Sequence, residues 1–451
     1  ANIFKLLRDL QLEEWPLTNY TTSGFWSPKG LVTEAPVFSS LPRLPTLLGQ
    51  FVHTASLHWS ISLADRLTLV PFLAAFLDFT SSPETYEKYD KMSAYELFRM
   101  CGVSKEAYTE FLRPTLLVGL FAPPEQISAA AMLETLYYYA LAHQNDFDVC
   151  WCKGSIAEKI FTPLVDRISS QGGKVLGNKM VTRIISSQQD GKEVITAVEA
   201  LDKGTGMTTT YPADALVLAV GIGAMQKLVT ANPVLAGREE FSKIMNLSSL
   251  DVIATRITFD RLVPTRFPAN VLSGFEATAG ATFFHLNDLQ DEYKGALTST
   301  ITADFYNASS LLPLSDEAII ARVVQHVAKC EPGFADAKVL DSVVLRVARA
   351  VTHFSPGCHA SRPTQTTSLP NLFVAGDWVK GLDHGAKGLS QERAYVTGLT
   401  AANLIIAQHG WGQKAEIIDV EPDEPHMATA KQAIRQARTL ASTLGLPNPF
   451  M

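Results

Sequence analysis

A glycine followed at once by an aspartate, Gly376-Asp377, closes a short apolar run, Leu372-Phe373-Val374-Ala375. Pro370-Asn371 before the run is a turn signal, and four apolar residues in a row suit a buried strand. Glycine lets backbone approach a ligand closely, and a carboxylate beside it accepts hydrogen bonds from sugar or polyol hydroxyls. After a glycine-rich loop, Ser390 is a good N-cap, and a helical pattern runs from Gln391 to Gly410, a residue suited to the C′ position. The start of that helix, at Ser390, Gln391 and Glu392, offers unsatisfied N–H groups and a positive dipole end to an electron-rich group. Ala394, Gly398, Ala401 and Ile405 share one face, which predicts close packing against a sheet. Strand, glycine–acid turn, loop and helix make a ligand-binding corner. The same pattern also describes an ordinary βα unit with a turn aspartate.

The remaining chemistry-bearing residues form no comparable group. Five cysteines (Cys101, Cys150, Cys152, Cys330, Cys358) are few and odd in number, which fits a reducing compartment without a disulfide framework. Cys150-Trp151-Cys152 lacks the spacing of a redox or zinc motif and reads as apolar filling. His353, Cys358 and His359 have no second ligand pair, so no metal site is expected. No general base can be named, and the catalytic residues stay unassigned.

The elements that must hold the corner come from a chain of 451 residues, 47% hydrophobic and 18% charged, ample for a large core and two intertwined domains. A net charge of −7 without long runs argues against a nucleic-acid partner. No run reaches the roughly 18 apolar residues of a membrane span; the nearest, Leu67 to Phe79, is broken by Pro71 and closed by Asp78. Trp59, Leu63, Leu67 and Val70 recur at helical spacing between Phe51 and Phe79. They are either core or a monotopic patch at the mouth of a tunnel for a greasy substrate. Ser128 caps an apolar helix that brings Tyr137, Tyr138 and Tyr139 together, an aromatic cluster more often core than a binding wall. Gly172-Gly173 turns the chain, Lys174-Val175-Leu176 reads as a strand, and Gln189-Asp190-Gly191 as a hairpin turn. Asp214 to Val220 is a buried strand leading into a loop at Gly221-Ile222-Gly223. Ile253, Thr255, Ile257 and Phe259 alternate, and Ala281–Leu286 and Ala296–Phe305 add strands, predicting a sheet that floors a substrate cavity. Ser315 caps a helix to Cys330, and Val343, Leu345 and Val347 return as a strand. EPDEPH reads as a linker, and Met427 to Leu444 as a separate amphipathic helix.

LFVAGDW, the following loop and SQERAYVTGLTAAN resemble the C-terminal flavin-contacting signature of the amine-oxidase and phytoene-desaturase group of FAD-dependent oxidoreductases. FLRPTLLVGLFAPPEQISAAAMLETL and WCKGSIAEKIFTPLVDRI are similar to the corresponding block of carotenoid desaturases and isomerases. DALVLAV resembles the family's strand under the flavin. The resemblance implies a mixed α/β, FAD-linked-reductase fold, with a nucleotide-binding domain interleaved with a substrate domain of mixed sheet and helices. It places the FAD-binding part at 1–20, 150–225 and 340–410, the substrate part at 21–149 and 226–339, and leaves 411–451 as a C-terminal extension. It implies FAD as cofactor, with Gly376, Asp377, Ser390, Gln391 and Glu392 at the flavin end and a backbone contact to the adenine at Val181. Arg393 is expected at the flavin edge or substrate mouth.

The family's N-terminal G-x-G-x-x-G turn, which holds the pyrophosphate on a helix N-terminus, is not among these 451 residues. Gly221-x-Gly223 lacks the third glycine, and Gly204-x-Gly206 lies in a polar hairpin. Either some ~70–100 residues precede this sequence, or the protein no longer holds FAD strongly. The leading reading is therefore an oxidoreductase acting on a long, apolar, carotenoid-like substrate, peripheral to a plastid membrane as the resemblance implies. The rivals are a non-catalytic scaffold within a larger assembly and an amine oxidase.

Overall fold

The computed structural model describes residues 1–46, 48–54, 61–79, 82–382 and 388–444. Trp59 and the 383–387 part of the glycine-rich loop lie outside the described residues. The strands are β1 (Ser23–Ser27), β2 (Gly30–Ala35), β3 (Lys179–Gln189), β4 (Lys192–Asp202), β5 (Thr208–Pro212), β6 (Leu216–Leu218), β7 (Ser248–Phe259), β8 (Ala269–Leu272), β9 (Gly280–His285), β10 (Thr300–Tyr306), β11 (Val339–His353) and β12 (Leu372–Val374). The helices used below are α1 (Asn2–Asp9), α2 (Val70–Asp78), α3 (Ala129–Leu136), α4 (Ile222–Ala231), α5 (Asp316–Cys330), α6 (Gln391–His409) and α7 (Pro425–Thr443). The chain folds as two compact units, one of residues 1–15, 160–249 and 358–420, the other of 16–159, 250–357 and 421–451.

In the first unit β6 and β12 pair in parallel, Leu216 opposite Leu372 and Leu218 opposite Val374. Parallel strands are covered on both faces, which is why both read as unbroken apolar runs rather than alternating ones. The loop expected after β6 is instead a helix, α4, whose N-cap is Gly221. Its Ile222, Met225, Leu228 and Val229 join Leu218, Leu372, Val374 and Trp378 in one core. β3, β4 and β5 form an antiparallel meander, turned at Asp190-Gly191. The strand expected at 174–176 is not formed. Val175 and Leu176 are exposed, and among the described residues no strand pairs with them.

In the second unit a seven-stranded sheet has the order β11-β7-β10-β9-β8-β1-β2; β7–β10, β10–β9, β9–β8 and β1–β2 pair antiparallel, and β8–β1 parallel. Ile253, Ile257 and Phe259 of β7 and Ile301, Ala303 and Phe305 of β10 point into one core, which α5 covers with Ile319, Ile320, Val323 and Val327. Ser315 caps α5 through the Ala318 N–H. Val343, Leu345 and Val347 lie on β11 as expected but are exposed, because β11 is a sheet edge and its inward residue is Val344. α7 is not a separate appendage. It packs against α2 and buries Met427.

Candidate functional site

Gly376 follows β12 with φ at 140°, and a Cβ there would lie 2.8 Å from Trp378 Nε1. Both facts demand glycine. Its N–H donates to Thr397 Oγ1 at 2.9 Å, which pins the strand end to the second turn of α6. Trp378, fully buried, donates Nε1–H to the Val220 carbonyl at 3.1 Å, fastening the turn to the end of β6. Asp377, between these two anchors, is half-buried.

Two buried arginines hold the turn from the protein side. Arg362 donates Nε–H to the Trp378 carbonyl at 2.7 Å and Nη2–H to the Val379 carbonyl at 3.1 Å. Arg393 donates Nε–H to the Asp377 carbonyl at 2.7 Å and Nη2–H to that of Val379. Arg393 is thus buried, with its guanidinium turned onto the carbonyls of the turn. Three successive carbonyls bent around a turn present the acceptors that a rigid guanidinium fork matches, and this draws the side chain inward.

At the start of α6, Ser390 accepts the Arg393 N–H at 2.9 Å, as an N-cap should, and Gln391 is exposed. The Glu392 carboxylate accepts the Asn2 N–H at 2.7 Å, the Asn2 side-chain amide at 2.9 Å and the Ile3 N–H at 2.9 Å, so its side chain caps α1. Burial alone would raise this carboxyl; the Asn2 and Ile3 N–H groups outweigh it and hold it below its ordinary value. The face of α6 that packs is Arg393, Val396, Thr397 and Ala401, with Ala401 against Phe373 and Ala375. Of the expected small-residue stripe, Ala401 is buried, whereas Ala394 and Gly398 are exposed. Gly410 ends the helix in the left-handed conformation, as its position predicts.

Val181 lies on β3, an edge strand, beside a bulge between Val181 and Arg183. Its side chain packs on the core that also holds Leu218, Val374 and Trp378. The structure thus brings Gly376, Asp377, Ser390 and Glu392 together through Arg393 and Thr397, and joins Val181 to them through the shared core. Sequence reading missed Arg362, Trp378 and Thr397. The tryptophan after Gly-Asp was a visible signal; Arg362, in an irregular stretch, gave none.

The second unit contains an apolar cavity of about 200 Å³. Phe25 and Ala35 of the β1–β2 hairpin, Leu69, Phe72, Leu73 and Phe76 at and on α2, Phe111, and Leu136 and Leu141 line it, with Glu34 and Glu110 as its carboxylates. β7, β9 and β10 contribute no residue to this lining; the β1–β2 hairpin and helices do. On the sheet face away from the main core, Asp304 of β10 is half-buried without a hydrogen bond or ion pair among the described residues, and desolvation pushes its carboxyl up to about 6. On the same strand face the Tyr306 hydroxyl lies 2.8 Å from Thr282 Oγ1, and Phe121 stacks on the ring at 4.0 Å.

Residues 1–406 match the family described as flavin containing amine oxidoreductase. The chain belongs to that family. It is 25% identical to the probable zeta-carotene desaturase of Synechococcus elongatus over 90% of this chain and 86% of that one. The 15-cis-phytoene desaturase, chloroplastic/chromoplastic, of Glycine max is 25% identical over 71% of this chain and 54% of that protein. Among solved structures, the cyclohexylamine oxidase from Brevibacterium oxydans superposes with a TM-score of 0.59 over 91% of this chain and 86% of that one, at 13% identity. That likeness fixes the fold as the mixed α/β architecture of FAD-dependent oxidoreductases. Family membership and the desaturase relatives make the chain an oxidoreductase of the flavin-containing family.

Proposed function

We propose that this chain binds FAD along the Gly376–Asp377 turn, the start of α6 and the β3 edge at Val181, and dehydrogenates a long apolar substrate of the carotenoid class. The observation that carries the reading is the Gly376–Asp377 turn, fixed to α6 through Thr397 and Arg393. Its donor set fits the cofactor: a backbone stripped of Cβ, a half-buried carboxylate for ribityl hydroxyls, and the N–H groups at Gln391 and Glu392 for an electron-rich edge. Bound FAD would supply hydride-accepting chemistry. The chain's own part is to hold Asp377 in place through the Arg362 and Arg393 donors and to present backbone at Val181. Glu392 contributes its N–H, its carboxylate being committed to α1.

The apolar cavity supports the substrate class. Its walls are mainly phenylalanine and leucine, and its volume, below the roughly 300–1,000 Å³ of common ligand pockets, suits a segment of a long chain. The desaturase relatives support the same class. A second reading, oxidation of an amine, is favoured by Glu34 and Glu110 on the cavity lining, where a carboxylate would attract an ammonium. Peripheral contact with a plastid membrane is supported by exposed Leu63, Leu67 and Val70 and by the chloroplast description of the soybean relative. Among the described residues no helix is long and apolar enough to cross a membrane.

The test is a visible spectrum of the purified protein with added FAD, followed by incubation with zeta-carotene or with cyclohexylamine. A flavin band lost in Asp377→Ala, and polyene absorption moving to longer wavelength, are the expected results. Peroxide release from the amine alone would establish the second reading. A wild-type protein that takes up no flavin overturns both.

A further inference from the structure

The segment after the family-matched region, residues 421–444, does not hang free. Tyr137, in the wide helical turn at 137–141 that continues α3, donates its hydroxyl to Asp423. Lys431 of α7 closes a triangle, 2.7 Å from Asp423 and with its ammonium 3.9 Å from the centre of the Tyr137 ring. Nearby, His143 Nε2 meets the Pro422 carbonyl at 3.0 Å, and Glu424 accepts the Thr46 N–H at 3.0 Å. α7 then packs against α2 with Met427 buried.

The elements gripped here are the ones that wall the apolar cavity. α2 and its lead-in residue supply Leu69, Phe72, Leu73 and Phe76, while Leu136 and Leu141 flank Tyr137. Phe72 and Phe76 meet edge-on at 4.8 Å, so a shift of α2 moves two rings at once. Both walls are short: α2 is a helix of nine residues, seated by Phe72 against Phe98 at 4.9 Å, and the 137–141 turn is a wide one of the π type, a geometry that recurs at functional sites.

We propose that the C-terminal segment 421–444 is a strap that fixes these two walls, and that Tyr137, Asp423 and Lys431 are specificity-determining residues which set the width of the cavity. The inference rests on the reading of the cavity as the substrate site. With the triangle intact the slot is narrow and favours a straight polyene. With it broken, α2 and the 137–141 turn can part, and a bent isomer is admitted. No residue of the triangle lines the cavity, so they act through the walls and not on the substrate.

The probes are all-trans and cis-parinaric acid, a straight and a bent conjugated chain, titrated by fluorescence into the full-length chain and its Tyr137→Phe and Asp423→Asn variants. The wild type should bind the straight isomer more tightly. Each variant should reduce that preference by about three- to tenfold, chiefly through gain of the bent isomer, and the two combined should be non-additive because both break the Tyr137–Asp423 bond. Circular dichroism checks the fold, and should Asp423→Asn fail to fold, Tyr137→Phe, which loses a single hydroxyl, carries the same test. Unchanged isomer preference in a folded variant overturns the strap. Failure of the wild type to bind either probe sinks the cavity assignment instead, a separate outcome.

Discussion

The smallest decisive features are single atoms around Gly376. A methyl group added at φ 140°, with Trp378 Nε1 2.8 Å away, must displace the indole or the turn. Gly376→Ala is expected to cost about 1–3 kcal/mol, read from denaturant unfolding, and to weaken flavin uptake in the same protein. Arg393→Met removes the donors to the Asp377 and Val379 carbonyls, of which Val379 keeps Arg362, and the loss of these charge-assisted bonds is expected to cost about 1–3 kcal/mol. Loss of thermal stability is the readout, with Arg393→Lys restoring only part because one ammonium cannot reproduce the fork. Asp304 behaves in the opposite sense to a paired carboxylate. Its folded value near 6 lies above the ordinary 3.8, so the fold favours the neutral form. The penalty is absent below about pH 4, grows to about 3 kcal/mol by pH 6 and is constant above. Asp304→Asn should therefore raise the melting temperature at pH 7.5 and leave it nearly unchanged at pH 4. An equal shift at both values would show that the carboxyl is not the cause.

Among elements, α6 is the beam that organises the first unit. Ser390 starts it, Gly410 stops it, and three of its side chains reach other elements: Arg393 and Thr397 to the turn, Glu392 to α1. Since hydrogen bonds depress the Glu392 carboxyl, their stabilisation is present above the ordinary value of 4.5 and lost as pH falls through the lower folded one. Hydrogen exchange of the first-turn amides of α1 should accelerate in acid and, at neutral pH, in Glu392→Gln. Unchanged protection in that variant would refute the cap. The ends of α6 were legible in sequence because caps are local. Its packed face was not, since the small-residue stripe pointed to Ala394 and Gly398, and nothing local tells that Arg393 and Thr397 turn inward until the groups they bond are in place.

At the scale of the molecule, each unit has its own core, one around Trp378 and Met225, the other around Phe259, Phe283 and Phe305. Separate cores predict unfolding that departs from two-state behaviour. Calorimetry should resolve two transitions, of which added FAD raises the one belonging to the Gly376 unit and an apolar polyene the one belonging to the cavity unit. A single transition shifted equally by both ligands would contradict this division.

What the sequence determined by itself is the set of features governed by nearest neighbours and by period. These are the apolar runs of β6 and β12, the alternation of β7, the caps at Ser128, Ser315 and Ser390, the turn at Asp190-Gly191, and the glycine–acid corner with its family resemblance. Tertiary structure decided what depends on partners distant in the chain. Arg393 turned inward because Asp377 and Val379 present carbonyls to it. Glu392 was claimed by α1, some 390 positions away. Lys174–Leu176 stayed irregular for want of a strand to pair with, and the C-terminal helix found α2 and Tyr137. Local rules fix a residue's conformation, but the acceptor it faces is set by the fold, and with it the role the residue plays.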